Sequence, residues 1–224
     1  MNSARIKNIR KACSITDKIF SLVIKSLKNN SLKTEKQIDG FIRNQIRKRK
    51  LKIAFPPIVA SGKRSSEIHP KPTKYNIKKG FLVLDFGVRF KGYCSDMTRT
   101  IYKGKPSKKE QDIYKKLLSI QKSALKKAKP GIECFEIDYF VRKRLKKFRE
   151  CFLHSLGHGV GKKIHQAPNL SPKTSEILKK GDIITIEPGI YIKDKYGLRI
   201  EDTVLVQNNP EQLTKSTKKL ITIR

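Results

Sequence analysis

Four carboxylates and three histidines in this 224-residue chain stand in surroundings that suit a shared ligand. The histidines fall at positions 154, 158 and 165, in the stretch Phe152 to Gly161 (FLHSLGHGVG) and in IHQAP just after it. A histidine between glycines lets the backbone come close while its ring points into a cavity with the other imidazoles. The carboxylates lie in strand-like settings: Asp85 in LVLDFG, Asp96 in YCSDMTRT, Glu187 in ITIEPG and Glu201 in LRIED. Acids beside runs of Val, Ile and Leu need a reason to be buried, and a pair of divalent cations supplies one. Oxygen donors with one imidazole suit Mn²⁺, Co²⁺, Zn²⁺ or Fe²⁺, with no need of thiolates. Metals about 3.5 Å apart would share carboxylates and a bridging water, lowering its pKa so that hydroxide is available near neutrality.

These groups need elements to hold them. Apolar residues at helical spacing predict a first helix over Ala4 to Leu27, and Thr34 with Gln37 forms a capping box for a second helix with Ile38, Phe41, Ile42 and Ile46 on its apolar face. A short strand is expected at Ile53 to Phe55, followed by a long polar loop, Ser61 to Asn76, that carries the fourth histidine, His69. Phe81 to Phe90 and Tyr93 to Tyr102 read as a hairpin around Lys91 and Gly92, which would set Asp85 beside Asp96. Ser107 and Glu110 cap a third helix, stopped at Pro130 and Gly131, and a fourth is expected over Phe135 to Phe148. After the histidines come a polar loop to Lys180 and Gly181 and then strands at Asp182 to Ile186, Ile190 to Ile192, Leu198 to Val206 and near Leu220 to Ile223. Helices followed by strands thus occur twice, which predicts an α+β fold of two similar halves around one cleft.

Composition bounds the rest. Fifty-two Lys and Arg against nineteen Asp and Glu give a formal charge of +33, which favours anionic partners nonspecifically. The basic residues are spread along the whole chain, and the densest runs, Arg43 to Lys52 and Arg142 to Arg149, fall on predicted helices without aromatics set out as a stacking platform. They read as solvated helix faces in a Lys-rich chain rather than a dedicated nucleic-acid surface. Cys13, Cys94, Cys134 and Cys151 show no CxxC spacing and read as thiols in a reducing compartment. Neither a signal-type amino terminus nor an apolar run of spanning length is present, so a cytoplasmic protein without membrane contact is expected.

In order and spacing, Asp85, Asp96, His158, Glu187 and Glu201 resemble the five ligands of the dinuclear pita-bread metallopeptidases. That family includes methionine aminopeptidase, Xaa-Pro aminopeptidase and Xaa-Pro dipeptidase (prolidase). The resemblance runs from the first helix past Asp202. It implies a curved antiparallel sheet in two pseudo-symmetric halves with helices outside, and two divalent ions, Mn²⁺ first among them. Asp96 and Glu201 would bridge the ions, Asp85 would complete one, and His158 with Glu187 the other. Glu187 would also carry a proton from water to the leaving nitrogen. His154 resembles an extra histidine of the proline-directed members, and the segment from Phe55 through His69 resembles the loop bearing their substrate-side histidine. The likeness assigns His69 and His165 to the oxyanion or scissile carbonyl and His154 to the carbonyl side of proline. Arg199 is expected to support the carboxylates, whereas Tyr93 and Tyr191 read as packing residues.

The implied activity is a metal-dependent exopeptidase of the Xaa-Pro aminopeptidase type, acting on short peptides with proline second and using a metal-bridging hydroxide. Prolidase is the alternative, methionine aminopeptidase is disfavoured by His154, and a noncatalytic basic binding module is the reading from another class. Residues 1–224 are expected to form one catalytic domain without the family's separate amino-terminal domain, and a homodimer is compatible with the likeness. Gln166 departs from the Glu common in relatives after the histidine.

Overall fold

The computed structural model describes residues 3–224. Two of its four long helices, the second and third, begin at the capping boxes that the sequence places. Helix α1 (Ser3–Lys28) buries Ile9, Cys13, Phe20, Val23 and Leu27 on one face. Helix α2 (Glu35–Lys48) is closed by a reciprocal box in which Thr34 Oγ1 accepts from Gln37 N and Gln37 Oε1 accepts from Thr34 N. Helix α3 (Lys108–Lys127) repeats the device with Ser107 and Glu110. Helix α4 (Cys134–Leu145) is shorter than its periodicity predicts, because Lys146 takes a positive φ of 54° and the chain continues as a 3₁₀ turn, Lys146–Cys151.

Fourteen strands follow among the described residues: β1 (Lys52–Ile53), β2 (Ile58–Ser61), β3 (Gly80–Asp85), β4 (Val88–Phe90), β5 (Tyr93–Cys94), β6 (Thr98–Lys103), β7 (Gly157–Gly159), β8 (Gln166–Leu170), β9 (Ile183–Ile186), β10 (Gly189–Ile192), β11 (Tyr196–Arg199), β12 (Asp202–Leu205), β13 (Glu211–Gln212) and β14 (Thr222–Ile223). They form sheets in the orders β14-β6-β3-β2, β13-β12-β9-β7-β8, β1-β4-β5 and β10-β11, antiparallel throughout except for the parallel pair β6 and β14. Helices α1 and α2 enclose one core with Leu82 and Leu84 of β3, and α3 and α4 enclose another with Ile184 and Val204 of the five-stranded sheet. Helices outside the sheets give the α+β architecture that the sequence predicts.

Three expectations need correction. The hairpin of residues 81–102 is split between two sheets: β3 pairs with β6, while β4 pairs with β5. Asp85 therefore lies opposite Thr98 and Ile58, and Asp96 sits in the unpaired segment between β5 and β6. At the junction the two segments approach so closely that a Cβ on Gly87 would lie 1.8 Å from Ser95 O, which only glycine allows. The strand predicted over Leu198 to Val206 is likewise interrupted at Ile200 and Glu201. The polar stretch before Gly181 contains strand β8, which its Pro168 and its half-exposed side chains concealed.

Candidate metal centre

The interruptions in β3–β6 and β11–β12 are what aim the acids inward. Glu201 N donates to Thr98 O at 3.2 Å, joining the two sheets at the point where both ladders lapse. Thr98 Oγ1 donates to Glu201 Oε2 at 2.7 Å, and Arg199 Nη2 donates to Asp85 Oδ2 at 2.7 Å. From the other sheet, Thr185 Oγ1 donates to Glu187 Oε1 at 3.0 Å and accepts from His158 N at 3.1 Å. The glycines around His158 are required by close approach: a Cβ on Gly157 would lie 2.1 Å from Thr185 O, and one on Gly159 would lie 2.2 Å from Ala167 O.

One cavity of about 790 Å³ is lined by every candidate: His69, Asp85, Asp96, His154, His158, His165, Glu187 and Glu201, with Arg199 beside them. Asp96, His158 and Glu201 each offer a donor atom within 4.8 Å of the other two. His158 Nε2 lies 3.6 Å from Asp96 Oδ2 and 3.4 Å from Glu187 Oε1. The His165 ring is 4.3 Å from that of His158, nearly perpendicular to it, while His69 is on the exposed side of the same cavity.

The electrostatics are those of acids crowded away from water. Burial and the neighbouring Glu201 push Asp96 well above the usual carboxylate range. Glu201 is raised well above its usual value by burial and then by Glu187 and Asp85. Burial lifts Glu187 to about 7 against the pull of Arg199. Burial and then His165 hold His158 down to about 4, so it stands neutral with a lone pair to offer. Asp85 Oδ1 is buried and has no hydrogen-bond partner. Mutually repelling carboxylates, a neutral imidazole and an orphaned carboxylate oxygen fit divalent cations, whose charge would satisfy all three.

Tyr191, read from sequence as packing, is buried as expected and also bonds two residues of the cavity lining. Its hydroxyl accepts from Arg199 Nη1 at 2.6 Å and lies 2.9 Å from His154 Nε2. Strand alternation could place this side chain but carried no signal for its hydroxyl's partners. Arg199 is thus spread over Tyr191, Asp85 and Thr98, which gives its expected supporting role a geometry. Tyr93 packs with the small core near α1 and stays outside the site.

Residues 7–208 match metallopeptidase family M24, and the chain belongs to that family. It is 40% identical over 221 residues to the Xaa-Pro dipeptidase of Pyrococcus furiosus, an alignment covering 96% of this chain and 63% of that protein. The crystal structure of recombinant prolidase from Thermococcus sibiricus superposes with a TM-score of 0.93 at 36% identity, over 99% of this chain and 62% of that one. The X-Pro aminopeptidase from Thermotoga maritima gives 0.93 at 32% identity, over 100% of this chain and 64% of that one. The chain therefore spans less than two thirds of the length of these relatives.

Proposed function

We propose that this chain performs the chemistry of an Xaa-Pro dipeptidase, hydrolysing the bond between an amino-terminal residue and proline. The observation that carries this reading is the convergence of Asp96, His158 and Glu201 in a cavity that also holds His154 and the orphaned Asp85 oxygen. Dipeptidase takes precedence over the aminopeptidase expected from sequence because prolidases supply the 40% identical relative and the Thermococcus match.

Asp85, Asp96, His158, Glu187 and Glu201 would hold two divalent cations, Mn²⁺ as first choice. Bound there, the ions would polarise the scissile carbonyl and lower the pKa of water. The rest falls to the chain's own groups. A bond to proline has a nitrogen without hydrogen, so it offers the protein no donor and is recognised from its carbonyl side. His165 and His69, which line the cavity, would each offer an imidazole N–H to the carbonyl oxygen. Glu187, beside His158, would take a proton and return it to the departing nitrogen. Arg199 and Tyr191 orient Asp85 and His154.

The test is amino-acid release from Ala-Pro, Ala-Pro-Ala and Met-Ala by protein stripped of metal and reloaded with Mn²⁺. Manganese-dependent cleavage of Ala-Pro, abolished by chelation, is expected. Faster cleavage of Ala-Pro-Ala would restore the aminopeptidase reading, which the Thermotoga similarity supports. Cleavage of Met-Ala alone, or failure to take up metal, would overturn the proline-directed assignment.

A further inference from the structure

The loop that carries His69 is fastened at both ends by one carboxylate. Glu35, the first residue of α2, is 1% exposed. Its Oε1 accepts from Ser61 N at 2.8 Å and from Ser61 Oγ at 3.0 Å, where the chain leaves β2. Its Oε2 accepts from Thr73 N and Thr73 Oγ1, both at 3.0 Å, where the loop returns, and from Arg64 Nε at 3.3 Å. Beside it, Lys36 N donates to Thr73 O at 2.9 Å. Arg64 carries the fastening into the loop, with Nη1 on Glu67 Oε1 at 3.1 Å and Nη2 on Lys71 O at 2.7 Å. Between the fastened ends, Ile68, His69, Pro70, Lys71 and Pro72 line one wall of the cavity. Among the described residues the His69 ring has no hydrogen-bond partner, so the backbone on either side sets where it points.

We infer that Glu35 is a positioning residue: by tying Ser61 to Thr73 it holds the wall that bears His69 against the cavity. On the reading that His69 meets the scissile carbonyl, it acts on the reaction through that histidine. Closing a loop costs chain entropy, and charge-assisted bonds from both ends to one buried carboxylate offset that cost. A neutral amide cannot replace it. Its single oxygen can accept at one end, while its amino group would face a donor at the other.

The experiment is a double-mutant cycle of Glu35→Gln and His69→Ala on the Mn²⁺-loaded protein with Ala-Pro, joined to hydrogen exchange of the metal-free proteins. Glu35→Gln should lower kcat about tenfold, the scale of one lost charge-assisted contact. Mn²⁺ affinity should hold, since none of the five proposed ligands is on the loop. In the His69→Ala background the same substitution should cost less than about twofold, because the two residues act as one unit. Equal losses in both backgrounds would overturn the assignment, since Glu35 would then act without His69. Amides of residues 62–73 should exchange faster in Glu35→Gln while those of β3 keep their protection. Unchanged exchange in the loop, or protection lost in both places, would refute a local fastening. Thr73→Val removes one of the contacts to Glu35 and should give the same pattern to a smaller degree, which keeps the test open if Glu35→Gln does not fold. If the wild type does not cleave Ala-Pro, the dipeptidase reading falls. Faster exchange confined to the loop would then still support the fastening, and unchanged exchange would refute it.

Discussion

The Tyr191 hydroxyl, set between Arg199 and His154, fixes which nitrogen of His154 carries the proton. Arginine can only donate, so the hydroxyl accepts from Arg199 and gives its own hydrogen to His154 Nε2, leaving Nδ1–H to donate to Ser155 O at 2.8 Å. Burial, then Arg199, hold the imidazole down to about 3, with His69 and Arg142 adding to the effect. A histidine kept neutral when folded takes up fewer protons than in the unfolded chain, so stability rises with pH between about 3 and the unfolded value of 6.5, and is lost as pH falls through that window. His154→Gln should therefore flatten the acid side of the stability profile, by at most about 1.4 kcal/mol per pH unit. Thermal unfolding of metal-free wild type and variant between pH 4 and 7 checks this, because the remaining carboxylates titrate in both. Parallel profiles would mean that His154 is protonated in the fold. The identities of the acids and imidazoles were legible from residue types set in apolar runs, but Tyr191 was not, since its role lies in a hydroxyl that periodicity does not describe.

The elements most legible in sequence were those specified locally. Both capping boxes are reciprocal hydrogen bonds between residues three apart, and both appear as read. Strand interruptions were illegible because they answer to distant partners, such as Gly87 against Ser95 or Glu201 against Thr98. At that second junction Arg99, 1% exposed, forms a clasp between β6 and β12. Its Nη1 donates to the carbonyls of Thr98 and Glu201, and its Nη2 donates to Asp202 Oδ1 at 2.7 Å. Asp202 is held in turn by Gln121, Thr214 and Lys218, which ties α3 and the carboxy-terminal segment to the clasp. A buried ion pair of this kind contributes more to geometry than to net stability, yet removing one partner strands the other. Arg99→Met should thus cost about 3 kcal/mol in denaturant unfolding. It should also weaken Mn²⁺ binding by calorimetry, because the Glu201 backbone loses its anchor. Unaltered metal affinity in a folded variant would show that the clasp serves stability alone.

Across the whole molecule, Lys and Arg outnumber Asp and Glu by 52 to 19, and Asp85, Asp96 and Glu201 of the site are among the buried acids. That excess is the formal +33 charge, and no helix among the described residues is long and apolar enough to cross a membrane. On the outer helices the basic residues and aromatics do meet, but mostly with the aromatic face covered. Lys127 and Arg144 lie over Phe140, at 4.7 and 5.4 Å from its centroid, and Lys116 and Lys147 lie over Phe148. Phe135 and Tyr139 are exposed on α4, their rings 6.3 Å apart and tilted by 42°, which falls short of parallel faces on which bases could stack in series. The surface therefore supplies charge without readout. RNA should bind it with no sequence preference, and the logarithm of the association constant should fall linearly with the logarithm of salt concentration. Fluorescence titration with two unrelated single-stranded RNAs, across a salt series from 50 to about 300 mM, would measure this. Binding that is lost over that range and equal for both sequences is the expected result. Retention at high salt or discrimination between the sequences would show that the exposed α4 aromatics, or another surface, read bases directly.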